Sequence, residues 1–398
     1  MKKNKFKILY IPIFLLFAFL VFAPPLYAEK ETIKVGITLS LTGKFAPIGN
    51  DQKNGYKLWE SHVNSRGGLL GRKVEVIVYD DKSDPETAKA IYELMIVNKE
   101  KDFLFGPYSS PITEAVLPIM EKYNYPLIIS GAGADSLWEK NYKNAIGIYT
   151  PSSRVSHGFI ELLFKNNIKK IAVVHADDTH STYVAKGAVS WAEKLGLEVL
   201  VFESFKKDTR DLTYLAKKAK DSGAEALIVG GHLNEAIDMR MALKAVNYFP
   251  KAYFTSVGGA LDEYKTRIGY DANYTFASSL FEVRANFPEA KKFYHDYSSI
   301  YKQTPQYHAA LAYAGGQVLE EAIKRAKTFD REKVREALFK MDIITIIGRY
   351  GVDKTGKQVR QHVYIIQWRK GKKEIVWPEK LATIKPAMRL RFHEPPIH

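Results

Sequence analysis

Apolar and polar positions change period repeatedly along the chain. Short runs rich in β-branched and aromatic residues, "IKVGITL", "KVEVIVY", "DFLFG" and "YPLIIS", read as strands. Between them the apolar spacing lengthens to that of helices. Gly55, Leu58, Trp59, His62 and Val63 fall on one helical face. Ala88, Ile91, Tyr92 and Met95 form a second face, opened by Asp84 as N-cap and Pro85 at the first helical position. Ile112, Ala115, Val116 and Ile119 form a third, opened by Ser110 as cap and Pro111.

After "YTPSSRVSHG" the alternation restarts. "IKKIAVVHA", "LEVLVFES", "AEALIVGG" and "KAYFTSV" read as strands, and Val184, Ala188, Trp191, Ala192 and Leu195 mark the helix behind the first of them. Two successive β-α-β runs suit two parallel sheets, each covered by helices on both faces. Beyond Asn273 come the strand-like "YTFASSLFEV", helices near 288–302, 307–326 and 331–341, and a closing β-meander with an "RKGKK" turn. In open α/β sheets, ligands sit beyond the carboxyl ends of the strands. That rule points to four loops: 106–111, 130–135, 175–181 and 230–234.

Composition narrows the class. With 398 residues, 46% hydrophobic and 26% charged, the chain fits two globular domains. Lys2, Lys3, Lys5 and Lys7 precede an uncharged apolar run, Ile8 to Ala23, and "LYA" ends at Ala28. This is the layout of a secretory signal peptide over residues 1–28, or of a membrane anchor where the run is not cleaved. The chain has no cysteine, which excludes disulfides, thiolate metal sites and a lipid-modified cysteine behind the signal. The net charge of +15, four of it from the leader lysines, is spread over the chain. No basic helix is interleaved with aromatics, so a solvated basic surface is expected and no nucleic-acid partner.

Three stretches carry candidate chemistry. In "GPYSSP", Tyr108, Ser109 and Ser110 stand where a strand feeds a helix, and free backbone N–H groups there suit a carboxylate. "SGAGAD" is a loop of small residues, Ser130–Asp135, that lets a ligand approach the backbone. "HADDTH", His175–His180, has the residue types of a metal site, and an exported metal-dependent hydrolase is one function they would serve. No HExxH, P-loop, GxGxxG turn or GxSxG accompanies it. "YDDKSDP" reads as a strand end and helix cap rather than a cation loop.

"VGITLSLTGKFAPIGND", "NSRGGLLGRKVEVIVYDDKSDP", "FGPYSS", "GGH", "PQYHAALAYAGGQVLEEAI" and the closing "YIIQW" and "VWP" together resemble the periplasmic binding proteins of ABC importers, most nearly the leucine/isoleucine/valine-binding type. The resemblance implies an α/β fold of two Rossmann-like lobes with parallel sheets joined by three hinge crossings, the type I periplasmic fold. It puts lobe 1 at 29–150 and 277–350 and lobe 2 at 151–276 and 351–398, with crossings near Thr150, Ala277 and Gly351. It implies a non-enzymatic receptor, monomeric and periplasmic, needing no cofactor. Such a receptor closes on a small carboxylate ligand, an amino acid above all, and docks on a membrane permease. A ligand-presenting partner of a sensor would have the same fold. Carried over by position, the ligand contacts are Tyr108, Ser109 and Ser110, Ala132, Gly133 and Ala134, the aromatic-equivalent His180 and His232, and Gly258. The family's Thr is Ala134 here, and its acidic ammonium partner is Gly258. Asp51, Asp135 or Asp178 is left to replace that acid, or the ligand is a carboxylate without an amine, an aromatic one included.

Overall fold

The strand runs fold as buried parallel ladders. The computed structural model describes residues 32–99 and 101–390, so the leader read at residues 1–28 lies outside the described residues. β1 (Ile33–Leu39), β2 (Val74–Asp80), β3 (Phe103–Phe105), β4 (Leu127–Ile129) and β5 (Ala145–Gly147) pair in parallel in the order β2-β1-β3-β4-β5. α1 (Ala46–Ser65), α2 (Pro85–Val97), α3 (Ser110–Lys122) and the single turn α4 (Ser136–Glu139) connect them. Six of the seven residues of β1 are buried, as a strand covered on both faces requires.

α5 (His157–Lys165) leads into the second sheet. There β6 (Lys170–Ala176), α6 (Thr179–Lys194), β7 (Glu198–Phe205), α7 (Thr213–Asp221), β8 (Ala226–Gly230), α8 (Leu233–Ala245), β9 (Ala252–Thr255), α9 (Asp262–Ile268) and β10 (Thr275–Ser279) follow in turn. The parallel strands run β7-β6-β8-β9-β10, which repeats the strand order of the first sheet. The chain then returns to the first lobe as α10 (Ala290–Tyr301), α11 (Tyr307–Ala326), α12 (Arg331–Lys340) and the hairpin of β11 (Ile343–Thr345) and β12 (Gly348–Tyr350). Finally β13 (Tyr364–Arg369) and β14 (Lys372–Trp377) extend the second sheet antiparallel beside β10.

The return is held by close packing of α11 on α1. A side chain at Gly55 would meet the Ala309 carbonyl oxygen at 2.2 Å, so only glycine lets the two backbones approach. Asp51 of α1 accepts from the Ala309 amide at 2.8 Å and from the Tyr297 hydroxyl at 2.7 Å. Trp59 and Tyr56 are fully buried in this seam; burial of an apolar side chain of ordinary size is worth about 1.5–3 kcal/mol.

Three chain crossings join the lobes. Gln361, 1% exposed, links all of them: Thr150 Oγ1 donates to its Oε1 at 2.7 Å, and its Nε2 donates to Leu280 O at 3.1 Å. Two expected boundaries shift. Ala277 lies inside β10, paired with Ile366, so the chain leaves the second sheet only after Ser279. Gly356 still accepts from the Gly147 amide at 2.8 Å, so the last crossing falls near Gln361 rather than Gly351.

The helix starts follow local chemistry. Asp84 caps α2 by accepting from Thr87 N at 2.7 Å, with Pro85 first in the helix, as its sequence predicts. α3 corrects the expected cap. Its first residue is Ser110, its cap position is Ser109, and Ser109 makes no capping bond through its side chain. At "HADDTH", Asp178 caps α6, accepting from Ser181 N at 3.1 Å and Ser181 Oγ at 2.6 Å.

Candidate functional site

Both sheets change the direction of strand addition at equivalent places, between β1 and β3 and between β6 and β8. The loops beyond these strand ends face each other across a narrow cavity of about 10 Å³. That is far below the ~300–1,000 Å³ of a ligand pocket, so the walls meet closely here and a ligand enters only as the lobes part. From the first lobe it is lined by Tyr108, Ser109, Ser110, Gly131, Ala132 and Gly133, and from the crossing by Tyr149. From the second lobe come His180, His232 and Val257.

Ser109 is the most unusual residue of the wall. It holds φ 78° and ψ 145°, a backbone region rarely used by a side-chain-bearing residue. Its amide is fixed by Gly131 O at 3.1 Å and its carbonyl accepts from Thr113 N at 3.0 Å, which opens the helix. Its Oγ is buried and has no hydrogen-bond partner. An uncapped helix start with a buried, unpaired hydroxyl beside it presents donors and the positive end of the helix dipole to whatever fills the space. Ser110 does different work: its Oγ accepts from Ala134 N at 3.1 Å and ties the two first-lobe loops together.

The second-lobe wall is imidazole. His180 shares a 2.7 Å hydrogen bond with Ser152 Oγ through Nδ1, which leaves Nε2 buried and without a partner. Burial, reinforced by His232 and Lys207 and opposed by Asp178, pushes its pKa down to about 3, so the ring is neutral. His232 stands 3.5 Å from the Tyr108 hydroxyl through Nδ1 and 3.5 Å from Asp178 Oδ1 through Nε2. Burial works to raise the Asp178 carboxyl, but His232, Lys207 and the Ser181 hydroxyl outweigh it and hold it well below the usual range.

Of the residues expected from sequence, Tyr108, Ser109, Ser110, Ala132, Gly133, His180 and His232 come together around the space. Ala134 and Gly258 do not line it. Ala134 is spent on Ser110. Gly258 packs on the start of α8, where a side chain would meet His232 O at 2.4 Å; its neighbour Val257 reaches the cavity instead. No acidic residue fits at 258 without moving backbone. None of the three suggested aspartates is free to replace it. Asp51 is bound by Tyr297 and Ala309. Asp135 accepts from Ser153 N and Oγ and pairs with Lys357 at 3.3 Å. Asp178 caps α6.

An aromatic frame around the site was not read from sequence as part of it. Phe45 meets the Tyr108 ring at 5.2 Å and the His232 ring at 5.7 Å across the cleft. Tyr149 stands edge-on to His180 at 6.2 Å and to Tyr307 at 6.5 Å. His308 stacks on Tyr307 at 4.0 Å and meets Tyr108 at 5.5 Å. The sequence signal for Tyr307 and His308 was their position at the start of a helix that returns to the first lobe. At the rim, Thr179 Oγ1 donates to Glu114 at 3.2 Å and the Tyr183 hydroxyl to Glu139 at 2.6 Å, joining the lobes.

The metal reading finds no support here. Among the described residues no group of three or more His, Asp or Glu converges on a point that could hold a metal ion. His175 ends β6 packed against Phe202, with Nδ1 2.7 Å from Ala176 O. Asp177 accepts from Lys207 N at 2.8 Å. In "YDDKSDP", Asp80 and Asp81 accept from the β1 loop, through Thr42, Thr38 and Ser40. Among the described residues no helix is long and apolar enough to cross a membrane.

Comparison with known proteins fits this geometry. A leucine-, isoleucine-, valine-, threonine- and alanine-binding protein of Pseudomonas aeruginosa is 27% identical over 344 residues, covering 85% of this chain and 91% of that protein. The branched-chain amino acid transporter substrate-binding protein LivJ of Streptococcus pneumoniae, solved with isoleucine, superposes with a TM-score of 0.77 at 23% identity, over 87% of this chain and 99% of that one. A solute-binding protein of an ABC transporter from R. palustris, solved with benzoate, superposes with a TM-score of 0.76 at 20% identity, over 87% and 96%. The family described as periplasmic binding protein matches residues 32–373, most of the chain. The doubled strand order, the enclosed space at the switch points and this match agree: the chain belongs to the periplasmic binding protein family.

Proposed function

We propose that the protein is an extracytoplasmic solute receptor that closes two lobes over a small carboxylate-bearing ligand and delivers it to the permease of an ABC importer. It acts as a monomer, exported by its leader, and performs no chemistry on the ligand. The observation that carries this reading is Ser109: a strained backbone, an uncapped helix start and a buried unpaired hydroxyl, all facing one enclosed space. A carboxylate would satisfy the hydroxyl and the helix amides at once. Ligand burial between the lobes then stabilises the closed form over the open one.

Amino acids are the first ligand class to consider, because such ligands are named for the Pseudomonas and Streptococcus relatives. A carboxylate without an ammonium group is the second, and one observation favours it. Gly258 leaves no room for an acid, and Asp51, Asp135 and Asp178 are engaged elsewhere. An ammonium group buried here would lack a countercharge, which is costly. The test is a thermal-shift and tryptophan-fluorescence screen of the twenty amino acids and a set of aromatic acids, preceded by native mass spectrometry for a co-purified ligand. The reading predicts saturable stabilisation by at least one carboxylate. A flat response throughout would overturn it.

A further inference from the structure

Two fully buried polar side chains stand behind the first-lobe wall of the cavity, and the account above uses the polar atoms of neither. Gln52, on α1, is 0% exposed, and neither its amide nitrogen nor its oxygen has a hydrogen-bond partner. His308, on α11, is 0% exposed, and neither ring nitrogen has one. Buried polar groups are nearly always paired, so four unpaired atoms on two adjoining helices call for a reason. The helices are not loosely placed: the residues next door, Asp51 and Ala309, bond to each other at 2.8 Å.

Both side chains border the cavity through its lining residues. Gln52 Nε2 lies 3.0 Å from where a side chain on Gly131 would begin, and that same point lies 3.0 Å from Tyr108 Cα. The His308 ring stands edge-on to the Tyr108 ring at 5.5 Å. Gly131 and Tyr108 both line the space. The Tyr108 hydroxyl has one long contact across the cleft, 3.5 Å to His232, which parting of the lobes would break.

The pair has a definite chemistry. The amide supplies donors and an acceptor, and a neutral imidazole supplies one of each. Burial pushes the His308 pKa down to about 3, so it stays neutral at ordinary pH. The nearest carboxylate, Asp51, has both oxygens occupied. Such a pair matches a neutral group that both gives and accepts hydrogen bonds, and offers no countercharge to a cation.

We propose that Gln52 and His308 form a second polar subsite, behind Tyr108, which receives a hydroxyl or carboxamide at the end of the ligand remote from its carboxylate. This rests on the carboxylate-receptor reading above and narrows its ligand class. A site built to bond a hydroxyl discriminates strongly against the analogue that lacks it, because its own polar atoms are then left unpaired.

The test uses calorimetric titration of the purified protein with benzoate, 4-hydroxybenzoate and L-leucine, and of the Gln52→Leu and His308→Phe variants with the same three. The expected result is a preference of tenfold or more for 4-hydroxybenzoate over benzoate in the wild type, reduced towards parity in both variants. The ligand-free melting temperature is the second readout. If these atoms await a ligand, replacing them by apolar groups of similar shape leaves the melting temperature unchanged or raises it. Equal affinity for the two benzoates, or a fall of several degrees in both ligand-free variants, would return the four atoms to a structural network with buried water and overturn the subsite alone. Failure of the wild type to bind any of the three, or any carboxylate of the wider screen, would overturn the receptor reading together with it.

Discussion

Two helix starts face the same cleft, and they are built in opposite ways. α3 follows β3 in the first lobe and α6 follows β6 in the second, at corresponding positions of a repeated strand order. α6 is sealed by its own carboxylate: Asp178 takes the Ser181 amide and hydroxyl, its charge is balanced by Lys207, and the His232 ring stands beside it. α3 is left open: Ser109 caps nothing, holds a strained backbone and keeps a buried hydroxyl unpaired. An anion can bind at only one of the two, because Asp178 already occupies the other. The difference assigns roles. The first lobe anchors the carboxylate, and the second lobe supplies the neutral His180 imidazole and the His232 ring that close over the rest of the ligand.

The largest expected effect breaks the open side. Ser109→Ala removes a hydrogen bond to a charged group, worth about 1.5–3 kcal/mol, so affinity for the carboxylate ligand should fall about ten- to a hundredfold. Because the hydroxyl has no partner in the folded chain, the ligand-free melting temperature should hardly move; calorimetry and a thermal scan read both.

Next comes the sealed side. Asp178→Ala uncaps α6 and should cost about 1–2 kcal/mol of stability by denaturant titration. Asp178→Asn carries a pH signature. The folded carboxyl is held below its ordinary 3.8, so its contribution is complete above that pH and fades as pH falls towards the folded value. The wild type should therefore lose its advantage over Asp178→Asn in acid.

The imidazoles give a third signature of smaller size. His180 and His308 are held at about 3 when folded and titrate near 6.5 when unfolded. Between those values the unfolded chain binds protons that the folded chain does not, so stability should decline as pH drops from 6.5. Asp51, raised by burial to about 7, works in the other direction. The slope difference between wild type and His308→Phe isolates the histidine, and the variant's slope should be shallower.

The smallest effect lies at the rim. Tyr183→Phe removes one exposed contact to Glu139, worth under about 1 kcal/mol, and should weaken ligand binding by a few-fold at most through a less favourable closure. A tenfold loss would shift weight from the helix starts to the rim.

Much of this arrangement was legible in the sequence, for reasons of period. β1 and β6 read directly because seven-residue apolar runs have little alternative use. The short β5, with three residues and no alternation, did not stand out. The ligand loops were legible because they follow strands, and the chemistry of "GPYSSP" was visible without a structure. The cap itself was misread by one residue, since serine at either position reads alike and only the backbone angle of Ser109 separates them. Phe45, Tyr149, Tyr307 and His308 were missed because they pack on or behind the cavity wall from an α1 entry, a crossing and a late returning helix, which spacing does not join. Gly258 was misassigned because its role is close approach to His232, and a missing side chain gives no signal of what it makes room for.

The central claim is that the open start of α3 holds a carboxylate. The most direct measurement is calorimetric titration of the wild type with L-leucine and benzoate beside leucinamide and benzamide. The account predicts that at least one acid binds and that its amide, matched in shape but without the charge, binds about a hundredfold more weakly. An amide bound as tightly as its acid would contradict it.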